Sequence, residues 1–443
     1  MPAKALSLSV CLFILTSAAV ASGGNSTVAS LPPAAQSIIA AAVAANNNTG
    51  YNAHWVKQAT LTPSDPQDVY GFGLYSVAID GDTLVVGVPF YGGEFGGLFV
   101  NQGAAYVFVK TGASWTTMTQ AAVLTASDAA TDALLGTGVA IVGDTIAVGV
   151  PAAGNLVPAV YVFVKPSTGW ANMTQTAKLT ASDGGMAART VSMSGNTIVA
   201  SAPNGTVAGY VFVEPPSGWT NMTQTAELTL TTPSGLGNHG PIAIDGSTVA
   251  VSAGKNINNR NVGKVAVYVK PAGGWSNMTP TAVLSPTDIG ATLTPVAIKG
   301  NVIAAGDAGA VTNGQIAAGN VHVFVEPAGG WINATQTAVL TASDAALNNE
   351  LGYSVAVDGN TIVAGAPGTT INKHSFAGAA YVFTAPPSGW VNMTESSKFY
   401  FPDGYAAALG DAVAIQGNTI VASAPYTDEG IQQYVGEALV FQQ

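Results

Sequence analysis

Every tryptophan of the chain belongs to one pattern. Trp55, Trp115, Trp170, Trp219, Trp275, Trp331 and Trp390 recur at intervals of 49 to 60 residues. From Trp115 onward each stands 13 residues before the end of an "LTASD"-like stretch, at Asp128, Asp183, Thr232, Asp288, Asp344 and Asp403. The Trp55 copy is shorter and reaches Asp65 in 10. A period of this length means one supersecondary unit per repeat. Such a unit cannot bury its apolar face alone and must stack on its neighbours.

Within each period the same order returns. A Leu-Gly or Phe-Gly step (Phe72-Gly73, Leu135-Gly136, Leu351-Gly352, Leu409-Gly410) leads into an alternating apolar strand such as "SVAIDG". Then comes a two-residue turn at Gly81-Asp82, Gly143-Asp144, Gly359-Asn360 or Gly417-Asn418. Gly and Asn tolerate positive φ, so these read as tight hairpins. A second strand, "TIVAGAP" or a variant, follows, then a loop of variable length and a third strand such as "GAAYVFV". The "PSGW" turn and "TAKLTASD" make a fourth. Val, Ile, Tyr and Phe at period two support strands throughout. Four antiparallel strands per unit, repeated about seven times, predict a β-propeller. A β-solenoid would show shorter repeats and fewer hairpin turns.

The chain ends set the count. Trp55 to Asp65 is a lone fourth strand, and Leu409 to Gln443 supplies only strands one to three. Joined, they make one blade and remove two exposed edges. The expected fold is all-β: a seven-bladed β-propeller of four-stranded antiparallel blades, closed by an N-terminal strand on the C-terminal blade.

At "FGLYSVAIDGDTLVVGVP" and "LGYSVAVDGNTIVAGAP" the chain resembles FG-GAP repeats, the units of the integrin α-subunit head propeller. The resemblance runs from about residue 55 to 443. Copies four and five depart, with Ser252-Ala253-Gly254 and Gly306-Asp307-Ala308, and copy three has Ala187-Ala188 for Leu-Gly. The resemblance implies calcium-binding loops between strands one and two in some blades. Here that loop is a hairpin such as Asp80-Gly81-Asp82. One or two carboxylates cannot supply six or more oxygen ligands, so calcium is not expected, nor any other cofactor.

Before the repeats, Lys4, an apolar run from Ala5 to Leu15 and Ala19-Val20-Ala21 have the layout of a secretory signal peptide over residues 1–21. Residues 22–53 are a low-complexity leader, read as a docking or assembly segment, and 54–443 form the propeller. The only cysteine, Cys11, lies in the signal segment. The mature chain then has no disulfide, thiol nucleophile or cysteine metal site. A net charge of −11 argues against nucleic acid and anionic membranes as partners. No later run is long enough for a membrane span. Charged residues are only 8%, so solubility leans on small polar residues and attached sugar.

Three sets of residues are candidates for chemistry. Asn172, Asn221, Asn277, Asn333 and Asn392, with Asn204, Asn25 and Asn47, begin Asn-x-Ser/Thr triplets, the N-glycosylation acceptor pattern. In a eukaryotic secretory pathway they carry sugar; in a bacterium they are bare turns. Alternation back from Leu179 puts Asn172 on an exposed face. Asp65, Asp128, Asp183, Asp288, Asp344 and Asp403 end the fourth strands and are read as turn caps bonding a backbone N–H two residues on. Phe90, Tyr91, Phe95, Phe99 and Tyr426 lie in the loops between strands two and three. These loops vary most, and on a rigid scaffold that is where a ligand binds; the aromatics either contact that ligand or fold back over their blade.

Catalysis has no motif. His54, His239, His322 and His374 fall at unrelated positions of the repeat, and there is no nucleophile elbow or phosphate loop. The reading is a secreted, non-enzymatic extracellular or cell-surface propeller for adhesion, binding or structural assembly, including a glycosylated subunit of a filament or coat. Its partner would be a protein or glycan on the variable-loop face, or another copy of itself. A lectin-like propeller is the alternative, and an enzyme at the central channel the third reading.

Overall fold

The computed structural model describes residues 55–443 except 67–68, 93, 96–97, 100, 152–156, 203–205, 231–235, 258–259, 289–290, 402–405 and 429–433; the side chains of 94–95, 98–99, 236–239, 255–257 and 260–262 are also undescribed. Asn25, Asn47, Asn204, Asp403, the segments read as leader and signal peptide, and the side chains of Phe95 and Phe99 lie outside the described residues. Trp55–Gln443 is one compact unit.

Seven sheets make seven blades. Blade 1 pairs Val77–Asp80, Thr83–Val88, Ala104–Val109 and Ala122–Thr125, each antiparallel to the next. The inner strands of blades 2 to 6 are Val139–Val142, Val191–Ser194, Leu236–Asp245, Val296–Lys299 and Ser354–Asp358. Blade 7 is built from Val413–Gln416, Thr419–Ala424 and Glu437–Gln442, and its outer strand is Val56–Thr62 from the other end of the chain. Leu61 pairs there with Ala438 and Val56 with Gln442. The ring closes as the incomplete end units require.

The first hairpins follow from glycine. Gly81, Gly143, Gly195, Gly246, Gly300, Gly359 and Gly417 hold φ between 54° and 57°, while the next residue stays at negative φ. Positive φ at the first central position alone is the II′ pattern, which matches strand twist. The second strand, Thr83–Val88, is buried at every position, and Ala104–Val109 at all but its last. Blades are therefore covered on both faces. The core lies in the seams: Val107 and Leu124 of blade 1 pack with Ile146, Val148 and Phe163 of blade 2. Each fully buried aliphatic or Phe side chain contributes about 1.5–3 kcal/mol.

The glycines of the repeat are the blade-to-blade contact. Gly352 donates its N–H to the Gly365 carbonyl of its own blade, 2.9 Å away. Its own carbonyl lies against Gly306 of the preceding blade, where a Cβ would sit 1.9 Å from that oxygen. The same clash would occur at Gly87 against Gly136 (2.0 Å) and at Gly365 against Gly410 (1.8 Å). In copy three Ala188 takes the glycine position at φ 47° and presents its carbonyl to Gly149.

The Asn-Met-Thr pieces differ from expectation. They are not the start of their own blade's outer strand. Met173–Thr174 pairs in parallel with Leu124–Thr125, the outer strand of the preceding blade, and Met222–Thr223 pairs likewise with Leu179–Thr180. Only from Ala177 onward does the chain join its own blade. Six outer strands receive such a fifth segment or bridge. Among the described residues Ser397–Tyr400 of blade 6 receives none. That seam is packed instead by Phe399 stacked on Phe441, with ring centroids 4.0 Å apart.

Candidate binding face

The ring has two faces. The first hairpins and the connections from third to outer strand lie on one, the hairpin face. The loops between second and third strands and the entries into the inner strands lie on the other, the loop face.

On the hairpin face the short loops close the ring. Asp80 accepts from Gly143 N–H at 2.6 Å, Asp245 from Gly300 at 2.8 Å, and Asp358 from Gly417 at 2.6 Å. Ser194 and Gln416 play the same part toward Gly246 and Gly81. The positions that would ligate an ion in a longer loop are thus spent on neighbouring blades. Among the described residues no three His, Cys, Asp or Glu side chains are grouped to hold a metal.

The recurrent aspartates also act between blades. Tyr106 donates its hydroxyl to Asp65 at 2.7 Å, Tyr161 to Asp128 at 2.7 Å, and Tyr381 to Asp344 at 2.9 Å. Tyr210 bonds Asp183. Among the described residues one of the expected turn caps is present: Gly185 N–H bonds Asp183 at 3.0 Å. At Asp65, Asp128 and Asp344 the carboxylate faces a tyrosine of the following blade, because the strand end points into the seam rather than along its own turn. Lysines complete two locks, Lys178 on Asp128 at 2.6 Å and Lys398 on Asp344 at 2.5 Å. Burial alone would raise these two carboxyls, but the lysine and tyrosine bonds outweigh it and hold both below the ordinary value. Blade 5 breaks the pattern. His322 replaces the tyrosine, is 0% exposed, and stands 3.9 Å from Asp288. Neither ring nitrogen has a hydrogen-bond partner among the described residues. Burial pushes the imidazole below its ordinary value, against the opposing pull of Asp288 and Asp307. His374 lies in a loop of blade 6, and His54 and the side chain of His239 are outside the described residues.

On the loop face the aromatics gather. The inner strands enclose a central channel of about 670 Å³ lined mainly by Val, Ile and Ala. Its mouth is set by residues just ahead of the inner strands, among them Tyr75, Arg189, Tyr353 and Asp411. Tyr75 is 53% exposed and Tyr353 40%. Asp411 is 6% exposed and accepts the Tyr75 N–H at 2.9 Å. Burial pushes its carboxyl up to about 6, opposed by that one bond. Burial and the nearby Asp411 push Tyr353 up to about 12.

From this mouth a chain of rings runs outward across blades 7 and 1. Tyr426 meets Tyr434 edge-on at 6.2 Å, Tyr434 meets Tyr70 at 6.0 Å, and Tyr70 meets Phe90 at 6.0 Å. Tyr70 and Tyr434 are more than 40% exposed. Tyr75 and Tyr434 are held at φ 77° and 60°, a strained region for a bulky side chain. Two of the loop aromatics singled out by sequence, Phe90 and Tyr426, belong to this patch. Tyr91 does not: it turns back on its blade, edge-on to Tyr106 at 6.0 Å. Tyr70, Tyr75, Tyr353, Tyr434 and Asp411 were missed. The available signal was position, since Tyr75 and Tyr353 both follow the Phe-Gly or Leu-Gly step that opens an inner strand.

No curated protein matches the chain significantly. Among solved structures it is similar to a computationally designed protein, Ika8, at 14% identity and TM-score 0.44, covering 83% of each chain. It is similar to Hsv2 of Kluyveromyces lactis at 12% identity and TM-score 0.44, covering 84% of this chain and 98% of that one. Sqt1 of Chaetomium thermophilum matches at 15% identity and TM-score 0.42, over 83% and 82% of the two chains. The FG-GAP repeat family model matches residues 55–108, 118–163 and 334–383. The chain is a seven-bladed β-propeller with glycine pairs at its blade contacts, and three of its segments match the FG-GAP repeat model.

Proposed function

We propose that this is a secreted, non-enzymatic propeller that binds an extracellular partner through the aromatic patch on its loop face. The observation that carries this is the run of half-exposed tyrosines from Tyr353 and Tyr75 to Tyr434 and Tyr70 beside the buried Asp411. Tyrosines supply rigid apolar area with a polar tip, the composition of binding hot spots. FG-GAP propellers are often involved in extracellular binding, which agrees. The deviant histidine, His322, is sealed inside a seam. Adhesion and assembly into a surface coat are both uses of such a face. A lectin-like role is the second reading, favoured by rings that can stack on sugars beside a carboxylate that can accept a hydroxyl.

The test is a printed panel of extracellular proteins and neutral oligosaccharides probed with the secreted full chain. The expected result is capture by one class of spot, reduced at least tenfold by Tyr353→Ala with Tyr434→Ala, with melting temperature unchanged. Capture that survives both substitutions would contradict the proposal. Protein spots support adhesion or assembly; sugar spots support the lectin reading.

A further inference from the structure

The asparagines of the recurring triplets are used by the fold, but only through one atom. Asn172 Oδ1 accepts the Val123 N–H of the preceding blade at 2.8 Å. Asn221 does the same for Lys178 at 2.8 Å, Asn277 for Glu227 at 2.9 Å, Asn333 for Val283 at 2.7 Å and Asn392 for Val339 at 2.8 Å. All five residues are exposed, and so is the Thr two positions on in each. No Nδ2 of the five makes a hydrogen bond within the described residues. At the seam between blades 7 and 1 a hydroxyl does the same job: Thr117 Oγ1 accepts the Thr60 N–H at 3.2 Å. The clasp needs an acceptor oxygen, and it does not need an amide nitrogen.

We propose that these five asparagines are N-glycan acceptors, each serving at once as an inter-blade clasp and as a sugar anchor. This rests on the secreted reading above. In the transfer, Nδ2 forms a bond to the anomeric carbon of a lipid-pyrophosphate-linked oligosaccharide. The bond from that carbon to the pyrophosphate oxygen breaks, the lipid pyrophosphate leaves, and one amide hydrogen departs as a proton. The amide carbonyl survives, so Oδ1 still accepts the neighbouring N–H when the blades pack. Folding and modification therefore use different atoms of one side chain.

The placement has a consequence. The five sites lie in the connections from third to outer strand, on the rim of the hairpin face. Sugar there supplies hydration that 8% charged residues do not. The aromatic patch on the opposite face stays open.

The test is expression of the full chain in a eukaryotic secretory host, followed by intact mass and peptide mapping after enzymatic amide-linked glycan release in heavy-oxygen water. Release leaves an Asp carrying the heavy label. The expected result is labelled Asp at the five positions. The melting temperature should be nearly unchanged by release, because Asp still accepts the N–H. Asn172→Thr should lose its glycan and keep the melting temperature, as the natural Thr117 predicts, whereas Asn172→Ala should lower it. Secreted, folded chain with unmodified asparagines would overturn the assignment and leave the secreted reading standing. Labelled sites on a chain retained inside the cell would support the assignment and overturn that reading.

Discussion

A carboxyl as buried as Asp411, with one backbone donor, weakens the fold at neutral pH. Its value is raised to about 6, above the roughly 3.9 of an unfolded chain. Between those values the folded state holds the extra proton, so stability falls as pH rises through that window and stays low above it. Asp411→Asn keeps an acceptor for the Tyr75 N–H and removes the charge. It should stabilise the protein at pH 7 by about 1–3 kcal/mol, with the gain vanishing below about pH 4. Urea titrations at both values check this. No gain at pH 7 would mean the carboxylate is better solvated than its burial implies. A destabilising acid retained at a channel mouth suits a binding role. His322 has the opposite sign. Its lowered value means the neutral form is stable in the seam, and that stability is lost as pH falls through and below about 6.5.

At the scale of the element, the repeat works through its glycines. Gly365 has no room for a methyl group, with the Gly410 carbonyl 1.8 Å from where a Cβ would lie. Gly365→Ala should cost at least about 2 kcal/mol, since two blades must separate to accept it. Gly359→Ala has open space around it and should cost less, through its φ of 57° alone. Comparing their melting temperatures tests whether the motif glycines act by contact or by turn geometry. Strand number, hairpin glycines and ring closure were all legible in the period and the incomplete end units. The inter-blade role of Asn-Met-Thr was not. Its alternation runs unbroken from Met173 through Gln175 and Ala177 to Leu179 while the pairing partner changes blade, and period two carries no record of which strand is the neighbour. The aspartate locks were hidden for a related reason. Tyr106 and Asp65 are 41 residues apart, and only the stacking of blades brings them together.

For the whole molecule, the two faces divide the work. The hairpin face spends its carboxylates and asparagines on neighbouring blades, so its polar groups are mostly committed to holding the ring. The loop face carries uncommitted aromatic area drawn from blades 6, 7 and 1. The loop aromatics singled out from sequence cover only part of this patch, because its members come from opposite ends of the chain and meet where the ring closes. The account's central claim is that this face is the binding surface. Hydrogen exchange of the full chain, alone and with the partner captured on the panel, tests it most directly. The account predicts slowed exchange at backbone amides around Tyr70 to Tyr75, Tyr353, Asp411 and Tyr434, with the first hairpins unchanged. Protection confined to the hairpins near Gly81, Gly143 and Gly300 would contradict it.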